Sequence, residues 1–173
     1  MDLIQLGKQI AYILRHNPGK IHMDDQGWIY VNDLLTNLAI PKSALDIIVQ
    51  YDDKNRYSYS DDGLKIRANQ GHSLSFVKIN FKEIKPPKIL YHGTSPAVKN
   101  NILKTGILKR SRNFVHLSDN KETAYKVGLR HSSPSEPIIF NIDSEKMYND
   151  GIKFYLSDNN VWLVDIVLPK YIL

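Results

Sequence analysis

Leu3, Leu6, Ile10, Ile13 and Leu14 recur at the spacing that a 3.6-residue turn stacks on one face, so the chain is predicted to begin with an amphipathic helix. The stripe stops at Asn17-Pro18-Gly19, where proline has no N–H to continue the ladder. At ~100° per residue Arg15 falls roughly opposite the stripe, beside Lys8, which directs it to solvent or to a ligand. Trp28-Ile29-Tyr30-Val31 then reads as a short strand, followed by a helix from about Asp33 to Leu38 with Asn32 as its N-cap. A third helix opens at Pro41 and turns Ala44, Leu45, Ile48 and Val49 inward. Residues 56–60 and 64–67 flank Asp61-Asp62-Gly63 as a β-hairpin. Three helices and a hairpin make a winged-helix arrangement, an architecture that handles nucleic acid in many proteins and only binds proteins in others.

The run Phe81-Lys82-Glu83-Ile84-Lys85-Pro86-Pro87-Lys88 reads as a linker, because two prolines continue neither a helix nor a central strand. A lobe boundary is therefore expected between residues 84 and 85. Beyond it, residues 89–92, 114–117, 137–142, 154–156 and 161–168 read as strands. Helices are expected at about 96–104 and 119–130, the second opened by Asp119 with Glu122 three residues on, a capping-box pattern. The fold class is α+β, with a winged-helix lobe at 1–84 and a mixed α/β lobe at 85–173.

Composition narrows the function. No cysteine is present, which excludes a disulfide framework or a thiolate zinc site and fits a reducing compartment. The N-terminal residues carry no basic and apolar leader pattern, and no stretch approaches the ~18 apolar residues of a membrane span. A soluble, cytoplasmic monomer without membrane contact is expected. The formal charge of +5 is uneven: residues 1–84 carry ten Lys or Arg against ten Asp or Glu, and residues 85–173 thirteen against eight. With so little bulk field, any RNA contact must rest on a few well-placed cations.

The common nucleotide and metal machinery is absent, with no Walker loop, no Rossmann glycine pattern and no HExxH. No metal site is expected. What remains is arginine and histidine in short polar stretches: Arg15-His16, Asp53 to Arg56, Ile66 to Ser73, Tyr91-His92-Gly93-Thr94 and Ser111 to Ser118. A permanent cation beside a titratable imidazole is suited to gripping a phosphate and managing a proton. Each piece also has a purely structural reading. Arg15 can be a snorkelling arginine beside a C-capping His16, Lys54 a solvated turn residue, Gly71 a bend after the hairpin, and a strand histidine a core residue.

In their order and spacing these segments resemble the RNA 2′-phosphotransferase family. The likeness runs from about Leu6 to Ile172 and includes Leu14-Arg15-His16-Asn17-Pro18, Asp25-Gln26-Gly27-Trp28, Asp53 to Tyr57, Ile66 to Ser73, Leu90 to Thr94, Val115 to Ser118, Val127 to His131 and Val161-Trp162-Leu163. The resemblance implies an ADP-ribosyltransferase-like second lobe that holds NAD as a consumed co-substrate, and a first lobe that engages RNA bearing an internal 2′-phosphate. It assigns Arg15, His16, Arg56 and Arg112 as catalytic. It makes Lys54, Arg67, Asn69, Gln70, Gly71, His72 and Ser73 substrate contacts, and His92, Gly93, Thr94, His116, Leu117 and Ser118 cofactor contacts. Gly93 would let the ligand approach the backbone, and Arg56 and Arg112 would line a cleft and carry no core.

The implied reaction has two displacements. The 2′-phosphate attacks the nicotinamide ribose and expels nicotinamide, giving an ADP-ribosylated 2′-phosphate. The ribose 2″-hydroxyl then attacks phosphorus, releasing 2′-OH RNA and ADP-ribose 1″,2″-cyclic phosphate. Glu145 is the last glutamate, and the late strand reads Val161-Trp162-Leu163 without one. An anionic phosphate nucleophile needs no such base. The chain departs from the family pattern at Gly7 for a common serine, Tyr57 for phenylalanine and Phe114 for an imidazole. Two other readings stay open: transfer of ADP-ribose to terminal nucleic-acid phosphates, and a winged-helix binding module without enzymatic activity.

Overall fold

The structure is a computed structural model describing residues 2–173, and the chain divides into two units, residues 1–80 and 81–173. The first unit opens with α1 (Leu3–Arg15), whose Asp2 carboxylate caps the N–H groups of Ile4 and Gln5. It continues through β1 (Ile29–Tyr30), α2 (Val31–Leu38), α3 (Lys42–Gln50), β2 (Tyr57–Tyr59) and β3 (Lys65–Ala68). The strands form an antiparallel sheet in the order β1-β3-β2, with Ile29 opposite Ile66 and Tyr57 opposite Ala68. Leu6, Ile10 and Leu14 of α1 close on Leu34, Leu45, Ile29 and Ile66 as one core.

The second helix departs from expectation at its start. Asn32 does not cap it, because α2 begins at Val31 directly after β1. The Val31 N–H donates to the Leu64 carbonyl at 2.9 Å, so the adjoining chain satisfies a group that a side chain would otherwise cover. Two of the departures from the family pattern meet in one bond: the Tyr57 hydroxyl donates to the Gly7 carbonyl at 3.0 Å. That bond ties the hairpin to the middle of α1.

The second unit contains β4 (Lys82–Glu83), β5 (Ile89–Thr94), α4 (Lys99–Thr105), β6 (Ile107–Leu108), β7 (Val115–Leu117), α5 (Lys121–Ser132), β8 (Ile138–Asp143), α6 (Ser144–Asn149), β9 (Tyr155–Leu156), β10 (Trp162–Val164) and β11 (Ile166–Val167). Its antiparallel sheets are β4-β9-β10-β7, β5-β8 and β6-β11. Leu90, Ile142, Met147, Phe154, Trp162 and Tyr171 lie in its core.

Part of the presumed linker is a strand, since Lys82 and Glu83 pair with Leu156 and Tyr155 and Ile84 packs against the second core. Both β4 residues are exposed, as an edge strand permits, so the hydrophobic pattern carries no trace of it. The cap of α5 is Asn120, which accepts from Thr123 N–H at 2.8 Å, and not Asp119. The expected strand 161–168 splits at Asp165, and the short β6 and α6 go unpredicted.

Strand β5 and helix α5 meet backbone to backbone. A Cβ on Gly93 would lie 1.8 Å from the Ala124 carbonyl oxygen, and one on Gly128 would lie 3.1 Å from the Thr94 nitrogen. The missing side chains let the helix sit directly on the strand whose end carries His92 and Thr94.

Candidate active site

In the first unit the Asn69–Ser73 loop follows β3 and gathers two other segments by short hydrogen bonds. Asn69 donates its N–H to the Arg56 carbonyl at 2.8 Å and its Nδ2 to the Asn55 carbonyl at 2.7 Å. Ser73 donates its N–H to the Arg15 carbonyl at 3.0 Å, and its Oγ is 2.9 Å from His16 Nδ1. Gly71, at φ +90°, lies against the Arg15 guanidinium, where an added Cβ would come within 3.4 Å of Nε.

Arg15 therefore does not project freely from α1 as its position on the helical wheel suggests: its Nε and Nη2 have no solvent exposure. A wheel describes one helix, and the loop that covers Arg15 comes from far along the chain. Arg67 stacks over the Trp28 ring at 4.5 Å, as a planar guanidinium does on an aromatic face. Lys54 sits in the turn before β2, and Gln70 is half-buried in the loop.

Arg56 is held from below. The buried Asp52 carboxylate accepts from the Arg56 backbone N–H and from its Nη1, and Asp53 lies 3.9 Å away. The guanidinium lines a groove of about 510 Å³ along α1 and α3, together with Lys8, Tyr51 and Tyr57. Arg56 lies outside the core cluster, but it neutralises a carboxylate whose side chain is only 3% exposed, so its removal also costs stability. Sequence reasoning passed over Asp52, although an acid four residues before an arginine was available as a signal.

His72 is buried, and its Nε2 has no hydrogen-bond partner among the described residues. Burial first, then the charges of Arg15, Arg67 and His16, push its pKa down to about 4. The folded state therefore binds the proton later than the unfolded chain, whose histidine titrates near 6.5. This contribution leaves stability intact above about pH 6.5 and removes roughly 3 kcal/mol as pH falls to about 4. Urea unfolding at pH 7 and pH 4.5 is expected to show that loss in the wild type and a smaller one in His72→Gln. Equal losses in both proteins would refute the assignment.

In the second unit the expected cofactor residues come together more plainly. A groove of about 410 Å³ is lined by His92 and Thr94 from the end of β5, Arg112 from the loop before β7, His116 from β7 and His131 from the last turn of α5. Gly93 reaches it too, and its lack of a side chain also admits the close approach of α5. Leu117 is a core residue, and Ser118 exchanges backbone bonds with Tyr91 at 2.8 and 2.9 Å. Neither lines the groove.

The hydrogen bonds fix where the imidazole protons sit. The His116 carbonyl can only accept, so His92 donates from Nδ1 at 3.1 Å and Nε2 is its acceptor. Arginine can only donate, so Arg112 Nη1 places its proton toward His116 Nδ1 at 2.9 Å, and the His116 ring proton is on Nε2. Burial holds His92 below its usual range, and His131 and Arg112 add to that against the pull of the His116 carbonyl. His131 was given no role from sequence, yet it lines the groove.

Among the described residues no group of His, Cys, Asp or Glu is arranged to hold a metal ion, and no helix is long and apolar enough to cross a membrane. Residues 1–166 match the model of the RNA 2′-phosphotransferase, Tpt1 / KptA family. The chain is 46% identical over 174 residues to a protein of Flavobacterium johnsoniae named probable RNA 2′-phosphotransferase, covering 96% of this chain and 93% of that one. Relatives of the same name from Rhodopirellula baltica and Fusobacterium nucleatum are 45% and 44% identical, covering 99% and 98% of this chain and 95% and 97% of theirs. A match along nearly the whole length, through both the loop that binds Arg15 to His16's partner and the histidine groove, makes this chain a member of the Tpt1 / KptA family of RNA 2′-phosphotransferases.

Proposed function

We propose that the chain is an NAD-dependent RNA 2′-phosphotransferase, with a winged-helix first unit that holds an internal 2′-phosphate of RNA and an ADP-ribosyltransferase-like second unit that binds NAD. The observation that carries the reading is the lining of the second-unit groove. Among the described residues it has three cations, Lys109, Arg110 and Arg112, three histidines and no carboxylate. Its volume of about 410 Å³ falls within the ~300–1,000 Å³ of small-molecule sites. The positive rim suits a pyrophosphate. His92 Nε2 as acceptor, His116 Nε2–H as donor and the Thr94 hydroxyl as either suit ribose hydroxyls and a carboxamide.

NAD supplies a ribose carbon from which nicotinamide can leave. The chain's own residues bind and orient. Arg15, His16 and Arg56 of the first unit and Arg112 of the second are proposed as the catalytic residues, each guanidinium a fork that pairs with phosphate oxygens and cannot lose its charge. The same forks stabilise charge on phosphorus oxygens when the ribose 2″-hydroxyl displaces the RNA 2′-oxygen. Because the attacking phosphate is already anionic, a groove without a carboxylate base is adequate for the first displacement.

Product analysis tests this directly. Mixing the protein with NAD and a short RNA bearing one internal 2′-phosphate is expected to yield 2′-OH RNA, nicotinamide and ADP-ribose 1″,2″-cyclic phosphate in equal amounts. Release of inorganic phosphate without consumption of NAD would overturn the proposal. So would turnover only of a 5′-phosphorylated oligonucleotide, into a stable ADP-ribosyl adduct.

A further inference from the structure

The chemistry of a serine hydroxyl bears on what His16 can do. Ser73 Oγ lies 2.9 Å from His16 Nδ1, and the Ser73 N–H to Arg15 carbonyl bond at 3.0 Å fixes the serine against the same helix end. A carbonyl or carboxylate partner accepts only and would hold a proton on Nδ1, as the His116 carbonyl does for His92. A hydroxyl both donates and accepts. When the ring is neutral, Oγ–H can donate to Nδ1 and leave the ring proton on Nε2. When the ring is charged, Nδ1–H donates to Oγ and Nε2 still carries a proton.

We infer that Ser73 is a positioning residue that keeps His16 Nε2 a hydrogen-bond donor in both charge states, so that His16 serves as a phosphate ligand and not as a proton acceptor. The inference rests on the proposed catalytic place of His16 and changes the part expected of Ser73, from touching substrate to acting through the imidazole.

The groups around His16 allow the idea to be read from a pH profile. Arg15 adjoins it and remains charged, the Tyr12 ring lies 5.9 Å away, and His72, which His16 influences, is neutral above about pH 4. Arg15 and His72 therefore hold their charge between about pH 6 and 8.5.

The experiment measures turnover of a 2′-phosphorylated RNA across that range for the wild type, Ser73→Ala and Ser73→Thr, and assigns the His16 ring tautomer by nitrogen-15 NMR. Ser73→Ala is expected to lose about fivefold more turnover near pH 8.5 than near pH 6, the worth of one hydrogen bond. Ser73→Thr restores both the rate and the Nε2–H tautomer. A loss in Ser73→Ala that is equal at both pH values, or none at all, would overturn the inference, as would a neutral wild-type ring protonated on Nδ1. Normal turnover by His16→Ala would instead remove the catalytic reading of His16, and the tautomer assignment separates that failure from the first.

Discussion

Gly93→Ala is expected to prevent the second unit from folding or to destabilise it by more than about 4 kcal/mol, the scale of a core clash that no rotamer relieves. The new methyl would stand 1.8 Å from the Ala124 carbonyl oxygen and 2.6 Å from its carbon, against the ~3.5 Å of an ordinary contact. Both obstructing atoms are backbone, so α5 must lift from β5 as a body. Lifting it also breaks the fit of Gly128 against Thr94 and Pro137, and with it the floor that holds His92 beside His116. Gly7→Ala is the matched control, since a methyl there meets only Ile48 Cγ2 at 3.8 Å and removes the ~1 kcal/mol cost of a glycine within a helix. Urea unfolding followed by the fluorescence of Trp162, which lies in the second core, distinguishes the two variants. A Gly93→Ala protein within about 1 kcal/mol of the wild type would show that the strand and helix can separate cheaply.

What the sequence made legible depended on whether the determining contacts were local. Helix α1 was readable because its stripe, its arginine end and its Asn17-Pro18-Gly19 stop all lie within one segment. The hairpin was readable because Gly63 sits between two strand-forming runs. The α5 cap was misplaced by one residue because Asp119 and Asn120 are both good caps, and only the bond to Thr123 separates them. Strands β4 and β6, two residues each, are too short to show a period.

The candidate site followed the same rule. Its arginines and histidines stood out in short polar stretches, and His92, Thr94, Arg112 and His116 do share one groove. The cover over Arg15, supplied by a loop more than fifty residues away, did not register in the pattern around α1. Gly93 was legible as a close approach, and the approach of α5 to it, set by Ala124 and Gly128 farther along the chain, was not.

That distinction decides which arginine gives the cleaner test of the proposed chemistry. Arg112→Ala is expected to lower kcat by about 10²–10³-fold, the cost of removing one donor aimed at developing phosphoryl charge. Its stability should stay within about 0.5 kcal/mol of the wild type, because Arg112 is exposed and bonds a ring nitrogen of His116, itself a groove residue. Arg56→Ala is expected to lose activity as well, but it leaves the Asp52 carboxylate buried without its cation, at a cost of about 3 kcal/mol in folding. A loss of turnover there mixes chemistry with stability. Arg112→Lys sharpens the comparison, since lysine restores the charge without the planar fork and should recover only part of the rate. Single-turnover rates alongside unfolding midpoints for Arg112→Ala, Arg112→Lys and Arg56→Ala separate the contributions. If Arg112→Ala converted 2′-phosphorylated RNA at the wild-type rate, Arg112 would have no part in the proposed chemistry.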